Sequence, residues 1–548
     1  MKVTGSNKLN LIYKEDMKNS SGQKTVQNIL SGSFSRKIFI LVITGIIFSA
    51  CSEDRFLGIT NENELNSDNY YSRIEDFDMA LNAVYSAVKS LDLFGQQYYS
   101  QTLLPLPHTS DYWNAQSRNE VNSADWHVYT TWRGWYRVIA RANDVIENAA
   151  VYAGEEDPTE TEVEQLDLIL GQAHFLRAFA YFHMGRLWGE SSYAEDSSRL
   201  AVPLILNVAS TREEMMAPRA TVGQLYNQII ADFKISEEML PESWDSDNIA
   251  RVNTNTAKAF LGKAYLYMGE DELSRDYFEE IINNPNYALV PWEEYDALFQ
   301  GKNEFSEESI FELNYTIDME QNIWENGLGS GIALECAPPG RGWSNVTPHG
   351  VNIFRFGDDP RLQICTYHPE DSAANLDGEM VPAGESEFNF TGHSFRKYVP
   401  EDYSVYSTNR NSGTNYIIMR LADVYLMYAE VMNNLGNDGV ASEYMNKVRR
   451  RAYGYSPDTP QPEVDYTGLT GTVLRDSIRE ERFRELFAEG HRWFDIVRWK
   501  IVEEEILKYN EFNITQGLIL YHPWDYYYPV PLAEVDTNPN MIPSTGYE

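Results

Sequence analysis

Cysteine is scarce in this chain. There are three in 548 residues, Cys51, Cys336 and Cys365, too few for a disulfide scaffold and without the CxxC spacing of a redox or metal site. Whether Cys336 and Cys365 pair is open from sequence. Basic residues are outnumbered, 44 Lys and Arg against 82 Asp and Glu, for a net charge of −38. A nucleic-acid binder needs a basic footprint to neutralise phosphates, and no basic block occurs, so that class is excluded. The short catalytic signatures are missing too: no GxSxG, HExxH, Walker loop or dinucleotide fingerprint. What the chain does have is 43% apolar and 13% aromatic residues, enough to bury a large core.

Arg36 and Lys37 precede thirteen mostly apolar residues, Ile38 to Ala50, and then Cys51. That run is too short to span a bilayer, but it has the basic start, apolar middle and small-residue exit of an export signal. Phe48-Ser49-Ala50-Cys51 resembles a bacterial lipobox, with Phe48 in place of the usual Leu. Cys51 is therefore the expected point of lipid attachment, and Met17 is an alternative start to Met1. Two or more acyl chains anchor a protein stably, at about 0.8 kcal/mol per buried CH2. Ser52, Glu53 and Asp54 resemble the acidic signal that sends Bacteroidetes lipoproteins to the cell surface. Losing residues 1–50 removes seven basic and two acidic residues and leaves −43, a body that anionic lipid repels.

Beyond a polar tether (51–68), helical periods dominate. Ile74, Phe77, Leu81, Val84, Tyr85 and Val88 form one stripe; Trp132, Trp135, Tyr136, Ile139 and Ile146 form another. Leu166, Ile169, Leu170, Ala173, Leu176, Ala180, Met184 and Leu187 form a third. Thr221 and Gln224 make a capping box. Two segments, Ala257 to Ile282 and Leu421 to Arg451, repeat a helix-turn-helix plan with the spacing of tetratricopeptide repeats, in which small residues let helices approach. Between them, residues 326–416 carry 11 Gly and 7 Pro. Long irregular segments in a domain usually have a task. From Ile478 to Lys500 charges and aromatics alternate at helical spacing, with Gly490 expected to stop the first helix. The pairs Glu480 with Arg484, Arg482 with Glu485, and Asp495 with Arg498 read as a half-buried network locking two helices together. The Pro-rich end, Tyr521 to Glu548, is expected to wrap the helical body.

Five ordered motifs then carry a resemblance to the SusD/RagB family of surface nutrient-binding lipoproteins. They are Phe175 to Phe182 with Gly189 and Pro203-Leu204; Thr256 to Gly269; Arg420 to Glu430; Glu480-Glu-Arg to Arg498-Trp499; and Pro529 to Asn540. The resemblance implies an all-α fold: a helical body with tetratricopeptide-like hairpins and a loop-rich ligand face. The corresponding parts are an export signal (1–50), a lipidated tether (51–68), an N-terminal helical part (69–325), a ligand-face segment (326–416) and C-terminal hairpins with a wrapping tail (417–548). It also implies a SusC-like TonB-dependent outer-membrane barrel as partner, and capture of oligosaccharides, or in a minority of members peptides, without cleavage.

Sugars are gripped by flat aromatic faces and by polar groups that meet their hydroxyls. Candidates are loop aromatics off the core stripes: Asp111, Tyr112, Trp113 and Asn114 in one connection with Trp126, and Trp324, Arg341 and Trp343 in the Gly/Pro-rich middle. Trp132, Trp135, Trp493 and Trp499 fall on helical stripes and are expected in the core. Two rival readings stand beside glycan binding. A surface glycoside hydrolase needs two carboxylates about 5–10 Å apart, and an interaction scaffold needs only the hairpins. No cofactor is expected. His349, His368 and His393 lack metal-ligand spacing, and a structural calcium would fall at acidic loops such as Asp358-Asp359.

Overall fold

In the computed structural model the first stripe, Phe77, Leu81, Val84 and Val88, is fully buried along helix α1 (Ile74–Val88). The structure describes residues 70–98, 109–110, 115–155, 158–317, 329–338, 342–343, 346–374, 379–382, 392–402, 412–512 and 518–547. The export signal, tether and Cys51 lie outside these. From Tyr71 onward the chain is one unit, Tyr71–Glu548, and among its described residues no helix is long and apolar enough to cross a membrane. Its long helices are α2 (Trp126–Glu155), α3 (Glu160–Trp188), α4 (Val222–Met239), α5 (Thr254–Met268), α6 (Asp271–Ile282), α7 (Leu421–Asn434), α8 (Asp438–Ala452) and α9 (Gly471–Glu485), followed by the shorter α10 (Arg492–Arg498) and α11 (Val502–Phe512). Each packs on its neighbour: α1 on α2 and α3, α3 on α4, α4 on α5, α5 on α6, α6 on α7, and α7 on α8 and α9. The fold is all-α in class, with only two-stranded sheets beside the helices.

Helix α3 is the axis of the N-terminal half. Its residues from Phe175 to Trp188 are buried almost all round, as a helix with no polar face must be. Phe175 and Phe179 pack on Phe260 and Phe311. Arg177 and His174 both bond the fully buried Asp232 of α4, at 2.8 Å each. The capping box that starts α4 is present: Thr221 Oγ1 accepts from Gln224 N–H at 3.1 Å and Gln224 Oε1 from Thr221 N–H at 2.9 Å. Trp132, Trp135, Trp493 and Trp499 are all buried.

The two hairpins are α5–α6, turning at Gly269, and α7–α8, turning at Gly436. Gly262 shows why the first needs a small residue. A Cβ there would lie 2.6 Å from the Phe278 ring of α6. Gly262→Ala is expected to destabilise by about 1–3 kcal/mol through overpacking, read as a lower denaturation midpoint; an unchanged midpoint would show that Phe278 can step aside.

In the stretch Ile478–Lys500 Arg482, Glu485 and Asp495 are buried while Glu480, Arg484 and Arg498 are half-buried, and most of their partners are distant in sequence. Glu485 receives Arg420 at 2.6 Å, Arg361 at 2.9 Å and Arg451 at 2.5 Å. Arg420 also reaches Glu308 and Glu489, both at 2.7 Å, and Glu489 takes Lys397 at 2.8 Å. Arg482 binds Asp423 of α7 and Asp495, and Asp423 takes Lys263 of α5 at 3.0 Å. Three of the motifs read in sequence therefore meet in one network. Of the helical pairs expected there, Asp495 with Arg498 forms at 3.1 Å, but Glu480 turns to Arg355 and Arg482 to the aspartates. The helix also stops earlier than Gly490. It ends at Glu485, whose carbonyl is taken by Arg420 at 2.9 Å, Lys397 at 3.0 Å and the Tyr295 hydroxyl at 3.1 Å.

The tail bonds to the helical body. Tyr528 N–H donates to Leu187 O at 2.7 Å, Trp188 Nε1 to Pro529 O at 2.9 Å, and Leu532 N–H to Ser123 O at 2.8 Å. Cys336 and Cys365 are free, buried thiols.

Candidate functional site

The turn that follows α1 organises the loop face. Gly95 O accepts from Gly331 N–H at 2.7 Å, Gln96 Nε2 bonds the Glu335 carboxylate, and Gln97 Oε1 meets His127 Nδ1 at 2.6 Å. One short turn thus holds the start of α2 and the Gly/Pro-rich middle together. A second clamp is an antiparallel ladder between β1 (Thr109–Ser110) and β2 (Thr347–Pro348), with Ser110 opposite Thr347. A third is the mutual pair between Ser330 and Ser412, at 2.7 and 2.9 Å, where the irregular segment rejoins the body.

These clamps bring together the connections in which ligand-binding aromatics were expected. Trp343 stands four residues before Thr347 and is 38% exposed. Its N–H donates to Leu334 O at 2.7 Å, closing a tight loop on the helix Ile332–Cys336. Gly342 permits that closure, because a Cβ there would lie 2.5 Å from Leu334 O. Trp126, at the first turn of α2, is 57% exposed and lies edge-on to His127. The Asp125 carboxylate caps that turn by accepting His127 N–H at 2.8 Å. Asp111, Tyr112, Trp113, Asn114, Trp324 and Arg341 lie outside the described residues. Asp111 directly follows the ladder residue Ser110, and Arg341 directly precedes Gly342.

Gln96, Gln97 and Glu335 are positioning residues that the sequence reading missed. The available signal was Gly95, where a Cβ would meet Lys89 O at 2.6 Å. A glycine just past a helix marks a tight turn but not its partners.

Among the described residues no group of three or more His, Cys, Asp and Glu could hold a metal ion. His349 stacks on Tyr509, whereas His368 and His393 lie edge to face with each other. Asp358-Asp359, the acidic loop considered for a calcium, does not fit one. Asp359 is buried and both its oxygens bond Arg361, at 2.8 and 2.7 Å. Glu312 is a carboxyl lifted by burial to about 7, as a general acid would need. It lies in the interior, however, accepting from Asn415 Nδ2 at 2.9 Å and Phe305 N–H at 3.0 Å.

Comparison with known proteins gives a consistent picture. A model described as "SusD family" matches residues 365–547, and one described as "Starch-binding associating with outer membrane" matches residues 55–266. SusD-like protein P25 of Formosa agariphila is 24% identical over 541 residues, covering 92% of this chain and 98% of its own. A SusD-like protein of Bacteroides ovatus is 26% identical over 505 residues, 86% of this chain and 84% of its own. Among solved structures, a laminarin binding SusD-like protein superposes with a TM-score of 0.69 at 22% identity, over 87% of this chain and 100% of that one.

Proposed function

The chain belongs to the SusD-like family, and from that premise we propose that it is a surface lipoprotein that captures oligosaccharide on its loop face without cleaving it. The observation that carries this reading is the β1–β2 ladder with the Gly95–Gly331 bond. It joins backbone that adjoins in sequence the two loop regions whose aromatics and polar groups suit sugar rings. The laminarin-binding relative and the starch-binding description of the matching model support the same ligand class. Trp343, Trp126, Trp113 and Trp324 would offer ring faces, and Asp111, Tyr112, Asn114 and Arg341 would meet hydroxyls. Delivery would be to a SusC-like TonB-dependent barrel in the outer membrane, with Cys51 as the lipidated anchor.

The direct test is a glycan screen on the purified protein, followed by titration and assay of reducing ends. Binding of an oligosaccharide in the micromolar range with no release of reducing ends is expected; turnover would overturn the non-catalytic reading. For the anchor, Cys51→Ala is expected to abolish acyl labelling and to move the protein out of the membrane fraction. Unchanged fractionation would refute lipidation at that residue.

A further inference from the structure

Away from the loop face, a cleft of about 650 Å³ opens where α3 ends, between that helix, α10 and the tail. None of the described loop-face residues lines it. Its walls include Tyr226, Tyr267, Phe494, Tyr526 and Tyr527, and its floor carries Arg186. The other cations that line the cleft are matched. Glu190 holds Arg199 at 3.0 Å and Arg219 at 2.6 Å, Glu195 holds Lys500 at 2.7 Å, and Arg498 is held by Glu430 and Asp495.

Arg186 differs. It is 8% exposed, its Nε has no hydrogen-bond partner, and it forms no ion pair with a carboxylate among the described residues. Its Nη2 rests on the ring nitrogens of His183, at 2.8 and 3.2 Å. His183 is neutral, held well below its usual range by burial and by the cations Arg186 and Lys263. The guanidinium lies 3.8 Å from the Phe494 ring centre, 4.5 Å from Phe182 and 5.7 Å from Tyr267. Ring faces offset part of the cost of burying the cation. The guanidinium also donates to the Tyr267 hydroxyl, but among the described residues the planar fork lacks the carboxylate oxygen pair it is shaped for.

We propose that this cleft is a second ligand site, for a carboxylate-bearing sugar of the uronic acid class, with the carboxylate on Arg186 and the sugar ring against the tyrosine walls. The class follows from three features. The buried guanidinium selects a planar anion, the aromatic walls select a flat, partly apolar body, and the rim groups Ser191, Ser192 and Asp196 suit hydroxyls. On a chain of net charge −38, long-range attraction does not favour anions, so recognition rests on this one short-range contact. The acidic rim disfavours a second negative charge, which sets a monoanion apart from polyanionic ligands.

The test is a calorimetric titration of the full chain in detergent with methyl galacturonide, its methyl ester, methyl galactoside and N-acetylalanine. The acid is expected to bind, and the ester and galactoside to bind at least tenfold more weakly. N-Acetylalanine, which has the carboxylate without the sugar ring, is also expected to bind at least tenfold more weakly. Arg186→Gln and Tyr526→Ala should each weaken the acid at least tenfold, and Trp343→Ala should leave it unchanged, which separates this site from the loop face. Should Arg186→Gln not fold, Tyr526→Ala decides, since that ring is only partly buried. No binding of the acid, equal binding of acid and galactoside, equal binding of N-acetylalanine, or indifference to Tyr526→Ala would each overturn the proposal.

Discussion

Replacing Glu485 with Ala is expected to destabilise the protein by about 3–5 kcal/mol. Its carboxylate has no exposed surface and sits among Arg361, Arg420 and Arg451. Deleting it leaves three guanidiniums in the interior with one partner fewer, and those charges cannot reach water. Exposed pairs of the same chemistry would give about 0.3–0.5 kcal/mol each; desolvation makes the difference. Burial by itself raises the Glu485 pKa, but the cations Arg451, Arg420, Arg361 and Lys397 outweigh it and hold the group far below its ordinary 4.5. A carboxyl depressed in the folded state adds stability above its unfolded pKa and loses it as pH falls through the folded one. The gap between wild type and Glu485→Gln should therefore stay constant from about pH 5 to 8 and narrow steadily as pH falls below about 4.5. Urea midpoints at a common slope measure it. A loss under about 1 kcal/mol would mean that Arg420 and Arg451 find other partners in Glu308 and Glu489.

That network also marks what the sequence could not disclose. Phe483, Leu486 and Phe487 were legible as core because burial on a helix repeats every three or four residues, and all three are buried. The charges between them have no such constraint. Arg482 pairs with Asp423, 59 residues earlier, and Glu480 with Arg355, 125 residues earlier. Local spacing suggested Glu485 and Arg484 instead, because nothing in a linear pattern ranks a long-range partner above a neighbour. The loop face divides in the same way. Trp126 and Trp343 stood out as aromatics off the helical stripes, and both rings are exposed. The ladder of Ser110 with Thr347 joins residues 237 apart through two-residue strands, too short to leave a period of two. Tetratricopeptide-like hairpins were readable because Gly262 encodes a close approach within one local unit. Arg186 was quoted in no motif, because a buried cation without an anion is visible only when its surroundings are known.

Trp343→Ala is expected to weaken oligosaccharide binding about 30-fold or more, the roughly 2 kcal/mol of a Trp at the centre of a recognition surface. Stability should stay within about 0.5 kcal/mol of wild type. The argument rests on how the residue is held. Its loop is closed by its own backbone N–H on Leu334 O and by the approach that Gly342 allows; an alanine keeps both. The residue is 38% exposed, which offers a sugar a flat apolar face. Trp135, with no exposed surface, is the contrasting control, since Trp135→Ala should cost about 3–5 kcal/mol through the cavity it leaves. Titration with the glycan found by screening, paired with a melting curve for each variant, separates the two behaviours. A fall in stability at Trp343 matching its loss of affinity would make the ring a plug for the loop, and the recognition surface would then rest on Trp126 and the residues beside the ladder.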